Sequence, residues 1–595
     1  MCGIAGVMMQ PGSSPDPIAL TALTKALAHR GPDGQGQHVD GPVGLVHTRL
    51  AIIDLETGDQ PLFEKPAAPE SGAVLITNGE IYNYRDLRRE FSPDKFHTQS
   101  DCEPSLHLYR RDGNGFAHKL RGMYAIALYD RAINQLLLCR DPFGIKPLYY
   151  CEMPDGLAFA SEAGALVAAG FAMPEVFEAA RDEMLQLQFS TGRQTPFKGV
   201  QRVLPGETLV VQDGKIIERF QIAALPQGRP ERITTKKALA RLDDALMNTV
   251  EHHQRSDVPY GMFLSGGIDS SALLTLMARL NDAPVQTFTA GFPGTSAPDE
   301  RDHARAVATA CQAHVIEVPV TEQDFWNHLP AIAADMDDPV ADYAIVPTWL
   351  LGRAAARDVK VVLTGEGGDE LFGGYGRYRS ARRSRLLGGR AMRRKGIFDG
   401  LNVLRDQSLH WRNGYAASLQ AAMMPDRTKL QAAQAADCAD WLPNDLLTKA
   451  DRCLMAHGVE GRVPFLDPVI TDAAFLLPDG LKIRHNRGKY LLRRWLDEAL
   501  PVADAFAKKQ GFTVPVGEWI AGQGKRLAPL VASQPGVEAA AHADQVRFLF
   551  ENIKDKRQAF AAWTLLFYAL WHNRHILKVP AHCDVFQALE ATQNS

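Results

Sequence analysis

Residues 258–280 read VPYGMFLSGGIDSSALLTLMARL, and this order of apolar run, glycine loop and amphipathic segment decides the fold of the second half of the chain. Residues 259–264 have the length and bulk of a buried strand. Residues 265–269 are too small and flexible for core, and Ala272, Leu273, Leu276, Met277 and Leu280 recur at helical spacing. The predicted unit is strand, loop and helix. Gly266 and Gly267 let the backbone come close to a ligand, while Ser265, Ser270, Ser271 and the N–H groups of the opening helix can donate to phosphate oxygens. No lysine precedes the serine pair, so this is not the Walker loop that grips a γ-phosphate. Asp269 stands there instead, and a carboxylate among phosphates makes sense when a Mg²⁺ lies between them. A lone glycine pair would serve equally well as a strand-to-helix turn with a serine cap.

Working outward, strand candidates at 260–264, 285–290, 315–318 and 359–363 alternate with helical stretches at 270–280, 300–313 and 347–357. Such alternation predicts an open parallel sheet with helices on both faces, and ligands in these sheets bind beyond the carboxyl ends of the strands. A second loop, in VVLTGEGGDELFGGY at 361–375, also follows a strand and belongs at the same edge. Its density of glycine and acid is hard to explain as packing. SGGIDSS resembles the pyrophosphatase-type loop of ATP-dependent amide and thiolation enzymes, which cleave ATP between its α- and β-phosphates.

At the other end, Cys2 follows the initiator Met in MCGIAGVM. Trimming of that Met would leave a thiol and a free α-amine on one residue. An α-amine with a pKa of roughly 7.7 to 8.0 can accept the thiol proton near neutrality, directly or through a water. HRGPDGQG (29–36), HTRLAIIDL (47–55), TNGEIYNY (77–84) and SDCE (100–103) follow. Together with Cys2 these segments resemble the class II glutamine amidotransferases, over roughly the first 200 residues. The resemblance implies an α+β domain of the N-terminal nucleophile type, four layers in the order αββα. It implies that Asn78 and the Gly79 N–H form an oxyanion hole, that Arg49 clamps the glutamine α-carboxylate, and that Asp101 takes its α-ammonium beside Glu80, with Ile53 contributing backbone. A free amino acid carries one charge of each sign, so a selective site needs one of each. The stretch 123–150, with RDPFGIKPLYY, reads as scaffold strands, and 201–220 as a final hairpin with turns at Pro205-Gly206 and Asp213-Gly214. Residues 223–232, rich in Pro, Gly and charge, are the expected linker between domains at 1–220 and 233–595.

SGGIDSS, TGEGGDELFGGY, GVEGRVPFLD (458–467) and RGKYLLR (487–493) occur in the order found in asparagine synthetases of the glutamine-hydrolysing type. This resemblance implies an α/β domain of the ATP-pyrophosphatase type. It implies that Leu264 and Ala290 line the adenine side, with Ser265, Gly266, Gly267, Ser270, Ser271, Thr364 and Gly365 completing the ATP pocket. Asp269 and Asp369 would hold Mg²⁺ on the pyrophosphate, Glu366 would orient or deprotonate the attacking ammonia, and Lys489 would neutralise the leaving pyrophosphate. Asp451 and Arg462 are open to an acceptor-site or a structural role.

Composition narrows the alternatives. The chain has 595 residues, enough for more than one domain, with 46% hydrophobic and 23% charged residues, 65 Lys plus Arg against 69 Asp plus Glu, and a formal net charge of −4. Nothing points to a polyanion partner. No apolar run approaches the ~18 residues needed to span a bilayer, and no charged flank with an apolar stretch opens the sequence, so a cytoplasmic enzyme without membrane contact is expected. The eight cysteines are scattered, with no C-x-x-C pair and no zinc spacing. A basic run, Arg382, Arg383, Arg385, Arg390, Arg393, Arg394 and Lys395, contains no interleaved aromatics and reads as a solvated surface rather than a nucleic-acid site. The apolar segment WTLLFYALWHN at 563–573 reads as a core helix, too short to span.

The expected reaction joins two sites. Cys2 releases ammonia from glutamine, the second domain converts a carboxylate to its AMP ester with loss of pyrophosphate, and ammonia makes the amide. A passage excluding water should connect them, because free ammonia is mostly protonated near pH 7. The resemblance makes the acceptor aspartate and the product asparagine, and the family includes homodimers. The scaffold itself does not fix the acceptor, and a secondary-metabolite or polysaccharide precursor is the alternative. MDDPVADYAIVP at 336–347 is the segment expected to touch it. Ring closure is disfavoured because a cyclase supplies its own amine and needs no Cys2. A non-enzyme has no reason to retain both complete loops.

Overall fold

Period-two alternation builds the first half of the chain, as described by a computed structural model for residues 2–64, 72–297, 299–383, 389–390, 392–507, 514–581 and 584–593. One six-stranded sheet orders Gln201–Arg202, Tyr149–Met153, Gly156–Ala160, Gly3–Met9, Val43–Arg49 and Gly34–Asp40. A second orders Lys215–Gln221, Glu207–Gln212, Gln135–Arg140, Gly122–Asp130, Ala73–Ile81 and Leu62–Phe63. Ile4, Met8, Val43 and Leu45 of the first sheet meet Val74, Ile76, Ala125, Ala127 and Leu138 of the second in one buried layer. The intervening residues face outward. Ala5, Val7 and Val46 pack on Leu20 and Leu23 of the helix Pro17–Ala26, and Leu75, Ile126 and Leu128 on Leu106 and Tyr109 of the helix Pro104–Asp112. Helix, sheet, sheet and helix make the four layers expected from the resemblance.

The second half contains a five-stranded sheet ordered His314–Pro319, Gln286–Gly291, Tyr260–Phe263, Val361–Leu363 and Glu460–Arg462, with every neighbouring pair parallel. The helix Ile268–Leu280 buries Leu273, Leu276 and Met277 against Leu242 and Leu246 of the helix Thr235–His253. The chain winds outward from Tyr260–Phe263 in both directions, so the crevice beyond that strand and Val361–Leu363 is a topological switch point. Both glycine loops open there. The fifth strand was not among the sequence candidates. Its residues are Glu, Gly and Arg, buried because Arg462 Nε meets Glu460 Oε1 at 2.6 Å, and an apolar-run criterion cannot find an ion pair in a strand.

Residues 222–234 carry no helix or strand, and the helix Lys556–His575 is buried on all sides from Ala561 to Asn573. Among the described residues no helix is long and apolar enough to cross a membrane. The basic run needs one correction. Arg382, Arg383, Arg390, Arg394 and Lys395 are exposed, but Arg393 turns inward, its guanidinium carbon 3.9 Å from the Trp441 ring centroid. The aromatic partner comes from far along the chain, which a local reading could not see. Arg385 and Gly388 of this run, and Cys583, lie outside the described residues.

Candidate active sites

Cys2 lies just before the strand Gly3–Met9, beside the all-buried strand Ala73–Ile81 that carries Asn78, Gly79 and Glu80. The Cys2 N–H donates to Asn78 Oδ1 at 3.1 Å, which turns the Asn78 amide nitrogen the other way. That Nδ2 is buried without a hydrogen-bond partner among the described residues, the condition of a donor kept for a developing oxyanion. Gly79 is required by its setting. Its φ is +156°, and a Cβ there would stand 2.0 Å from the Met123 carbonyl oxygen. Burial pushes the Cys2 thiol above its ordinary pKa, so the thiol needs a base to become a nucleophile.

Arg49 ends the strand Val43–Arg49 and is buried, donating to Asp59 Oδ1 at 2.7 Å and to the Asp54 carbonyl. The Asp59 side chain is 79% exposed, so a ligand carboxylate can replace it at little cost. Ile53 is half-buried in the following turn. Asp101 and Glu80 are buried acids; Asp101 Oδ2 accepts from the Ile81 N–H at 2.7 Å. Burial pushes Asp101 up to about 6, and burial together with the Asp101 charge pushes Glu80 well above the carboxylate range. Such a pair of acids is ready to receive a cation.

At the sheet edge of the second half, Gly267 caps the helix Ile268–Leu280 and places Asp269, Ser270 and Ser271 in its first turn. Ser265 Oγ lies 3.1 Å from Ser270 Oγ and accepts from the Gly267 N–H at 3.2 Å. Gly266 has φ +71°. Leu264 is buried, its N–H donating to the Phe288 carbonyl, and Ala290 is half-buried on the adjoining strand Gln286–Gly291. Ser271 is turned into the core, 1% exposed, and its Oγ has no hydrogen-bond partner among the described residues. Thr364, whose N–H donates to the Arg462 carbonyl at 2.8 Å, leads into Gly365, Glu366 and Asp369. The two loops are in contact: a Cβ on Gly368 would come 2.5 Å from Asp269 Oδ1.

Lys489 joins them. It precedes the helix Tyr490–Ala499 in a left-handed conformation, φ +57°, that a lysine adopts only when its surroundings impose it. Its Nζ donates to Asp269 Oδ2 and lies 2.8 Å from Asp369 Oδ1. Burial alone would lower the lysine pKa, but the two carboxylates outweigh it and hold the group above the ordinary value.

The halves meet through buried charge. Arg30, fully buried, donates to both oxygens of Asp451 at 2.8 and 3.0 Å, to Glu162 Oε1 at 2.8 Å, and through Nε to the Cys2 carbonyl at 3.2 Å. Arg462 pairs with Glu460 and stands 3.6 Å from Glu80. Asp451 and Arg462 are thus engaged between the halves. Removing Asp451 leaves the buried Arg30 guanidinium with Glu162 as its one remaining carboxylate among the described residues, so Asp451→Ala is expected to lower stability, by at most the roughly 3–5 kcal/mol of a fully stranded buried charge, in chemical denaturation. Arg30→Met with Asp451→Leu is expected to recover part of that loss, because both charges are then gone.

The segment 336–347 sends Asp342 to Lys449, whose Nζ lies 2.8 Å from Asp342 Oδ2 and has Glu366 and Asp445 as further charged neighbours. Sequence reading had named Glu366 and the segment but neither Lys449 nor Asp445. The stretch NDLLTKADR at 444–452 is mostly polar and charged and gives no local signal that sets these two residues apart.

The fold and the two sites define an N-terminal-nucleophile amidotransferase joined to an ATP-pyrophosphatase-type synthetase domain. The family described as Asparagine synthase matches residues 241–573 and the Glutamine amidotransferase domain matches residues 1–221. Asparagine synthetase [glutamine-hydrolyzing] 1 of Bacillus subtilis (strain 168) is 33% identical, over 97% of each chain. A putative asparagine synthetase of Mycobacterium tuberculosis (strain ATCC 25618 / H37Rv) is 34% identical over 96% of this chain and 97% of its own. Asparagine synthetase B of Escherichia coli (strain K12) is 30% identical over 87% and 83%. The chain belongs to the family of glutamine-hydrolysing asparagine synthetases.

Proposed function

We propose that this chain makes asparagine from aspartate in the cytoplasm, with glutamine as nitrogen donor and ATP as activating substrate. The observation that carries the reading is the presence of both preformed sites in one chain, locked together by the buried Arg30–Asp451 pair. Cys2, freed of the preceding Met, attacks the glutamine side-chain amide with its own α-amine as base. Asn78 Nδ2 and the Gly79 N–H take the oxyanion, Arg49 the α-carboxylate and Asp101 the α-ammonium. Ammonia passes to the second site without meeting bulk water. There the aspartate side-chain carboxylate attacks the α-phosphorus of ATP, pyrophosphate leaves towards Lys489, and Glu366 relieves ammonia of a proton as it displaces AMP.

Asp269 and Asp369 fit a Mg²⁺ held on the pyrophosphate. Both are hard oxygen donors, and glycine keeps the space around them clear: a Cβ on Gly374 would stand 1.8 Å from Asp369 Oδ1. No group of three or more His, Cys, Asp or Glu that could hold a metal occurs among the described residues, so phosphate oxygens would complete the ion's shell. Bound there, Mg²⁺ would neutralise charge on the departing phosphates.

The test is incubation with ATP, Mg²⁺, glutamine and candidate acids, measuring AMP, pyrophosphate and amide. Aspartate giving all three in equal amounts supports the reading; aspartate giving no AMP while another acid does rejects it. A pH prediction follows from Asp101. Its carboxyl, held up at about 6, must be ionised to take an ammonium. The glutamine KM of the hydrolysis is therefore expected to rise as pH falls below about 6, approaching about tenfold per unit. A KM constant down to pH 5 would assign the ammonium to another group.

A further inference from the structure

The turn that follows Arg49 ties four parts of the molecule to one residue, Asp54. Asp54 is buried with φ +58°, a left-handed conformation that aspartate tolerates better than most side chains. Its carbonyl oxygen accepts from Arg49 Nη2 and from the Gly58 N–H at 3.3 Å, and the turn closes so tightly that a Cβ on Gly58 would stand 2.7 Å from the same Nη2. Its carboxylate accepts from the Thr57 N–H at 2.9 Å, from Thr57 Oγ1 at 2.6 Å and from the Gln99 N–H at 2.8 Å. Gln99 lies two residues before Asp101. Asp54 therefore holds both groups assigned to the glutamine head, the Arg49 guanidinium directly and the Asp101 carboxylate through the chain behind it.

The fourth tie comes from the second half of the chain. The Asp54 N–H donates to Asp257 Oδ2 at 2.8 Å, and the Asp257 N–H donates to the Ile52 carbonyl at 2.9 Å. Asp257 stands three residues before the strand Tyr260–Phe263. Beside it, Asp33 Oδ2 accepts from the Ala51 N–H at 2.8 Å and from Lys360 Nζ at 2.7 Å, and Lys360 immediately precedes the strand Val361–Leu363. These two strands are parallel neighbours. Residues 51–54 are thus seated on the sheet edge where both strands begin, and the two glycine loops leave from the edge where they end.

Free glutamine has to meet Arg49 and Asp101 at once, so its affinity depends on how the two are spaced. When a ligand carboxylate displaces Asp59 from Arg49 Nη1, the Asp54 carbonyl still holds Nη2 and keeps the guanidinium aimed. We propose that Asp54 is a positioning residue for glutamine, keeping Arg49 and Asp101 in register, and that Asp257 braces it from the second half. Residues of the synthetase half then set the glutamine affinity of the other half. Asp54 itself touches no substrate and acts through Arg49 and Gln99. This rests on the glutamine reading of the first half and adds to it two residues that carry none of its chemistry.

The test uses the full chain and follows glutamine hydrolysis at varied glutamine, with synthesis from added ammonium measured beside it. Asp54→Asn keeps a residue that accepts the left-handed conformation, but an amide has one acceptor oxygen where the carboxylate has two and cannot hold both the Thr57 and the Gln99 N–H. Its glutamine KM is expected to rise by about tenfold or more with kcat within about twofold, the mark of lost ground-state binding. Asp257→Ala removes the brace and is expected to raise the KM by about threefold to tenfold. Asp257→Asn keeps an oxygen for the Asp54 N–H and is expected to stay within about twofold of the unchanged protein. Synthesis from ammonium is expected to remain within about twofold in all three, which reports a folded second half. An unchanged glutamine KM in both Asp54→Asn and Asp257→Ala would overturn the proposal, as would a fall in kcat at constant KM, which would place Asp54 in the chemical step. Equal rises in Asp257→Ala and Asp257→Asn would overturn it too, because the amide retains the acceptor that the brace requires. Should Asp54→Asn fail to fold, the Asp257 pair decides, since that side chain is exposed and its replacement disturbs the fold little. An unchanged protein that makes amide from ammonium but does not hydrolyse glutamine would reject the glutamine reading itself; hydrolysis with unaltered KM in the variants rejects the positioning pair alone.

Discussion

Replacement of Cys2 by alanine is expected to abolish glutamine-dependent amide formation, by at least about a thousandfold, while synthesis from added ammonium stays within about twofold of the unchanged protein. The asymmetry follows from where Cys2 lies. Its thiol is the only group at that site proposed to form a covalent bond to glutamine, and the hydrogen bonds proposed from Asn78 and Gly79 would stabilise an oxyanion that forms only after attack. The rest of the residue does structural work through its backbone, the N–H to Asn78 Oδ1 and the carbonyl to Arg30, and alanine keeps both. The second site therefore stays docked through Arg30 and Asp451. Initial rates of asparagine formation with glutamine and with ammonium, measured side by side, check this. Residual glutamine hydrolysis in Cys2→Ala above about one part in a hundred would assign the nucleophile elsewhere. Equal loss with both nitrogen sources would show that Cys2 matters to the synthetase half through more than ammonia supply.

The fold was legible in the sequence wherever burial is apolar and periodic. Ala272, Leu273, Leu276 and Met277 announce the helix after the glycine loop, and the structure buries all four. Loop residues from SGGIDSS and TGEGGDE were legible because glycine beside acid has no use in a core, and the sheet brings both to one edge. What stayed hidden is what depends on charge meeting charge across the chain. Glu460 and Arg462 form a strand that looks polar, Arg30 looks like a surface arginine until Asp451 reaches it 421 residues away, and Arg393 looks solvated until Trp441 covers it. Lys449 and Asp445 were missed for the same reason. Their meaning comes from Asp342 and Glu366, which local periodicity cannot bring into view.

Asp269→Asn is expected to lower AMP formation by about a hundredfold to a thousandfold with either nitrogen source, leaving glutamine hydrolysis intact. Asparagine is chosen because its amide oxygen can still accept from Lys489 Nζ, so the loops remain docked and one negative charge is all that is lost. In the present arrangement Lys489 is shared between Asp269 and Asp369, and neither acid can be removed without changing the balance. If Asp269 only anchors Lys489, losing its charge leaves the ammonium with Asp369 alone, free to move on to phosphate, and AMP formation should hold or rise. If Asp269 also holds Mg²⁺ on the pyrophosphate, the variant loses a metal ligand. AMP formation then falls, and the Mg²⁺ concentration for half-maximal rate rises by about tenfold or more. Titrating Mg²⁺ at saturating ATP separates the two, because an anchoring role moves the maximal rate without moving the metal requirement. Lys489→Met provides the reverse case: two acids lose their cation, repel one another across the loop contact at Gly368, and come to depend more heavily on Mg²⁺ to stay together. A lowered rate in Lys489→Met with a tighter metal requirement, beside a lowered rate in Asp269→Asn with a weaker one, would establish that lysine and metal share this pair of carboxylates.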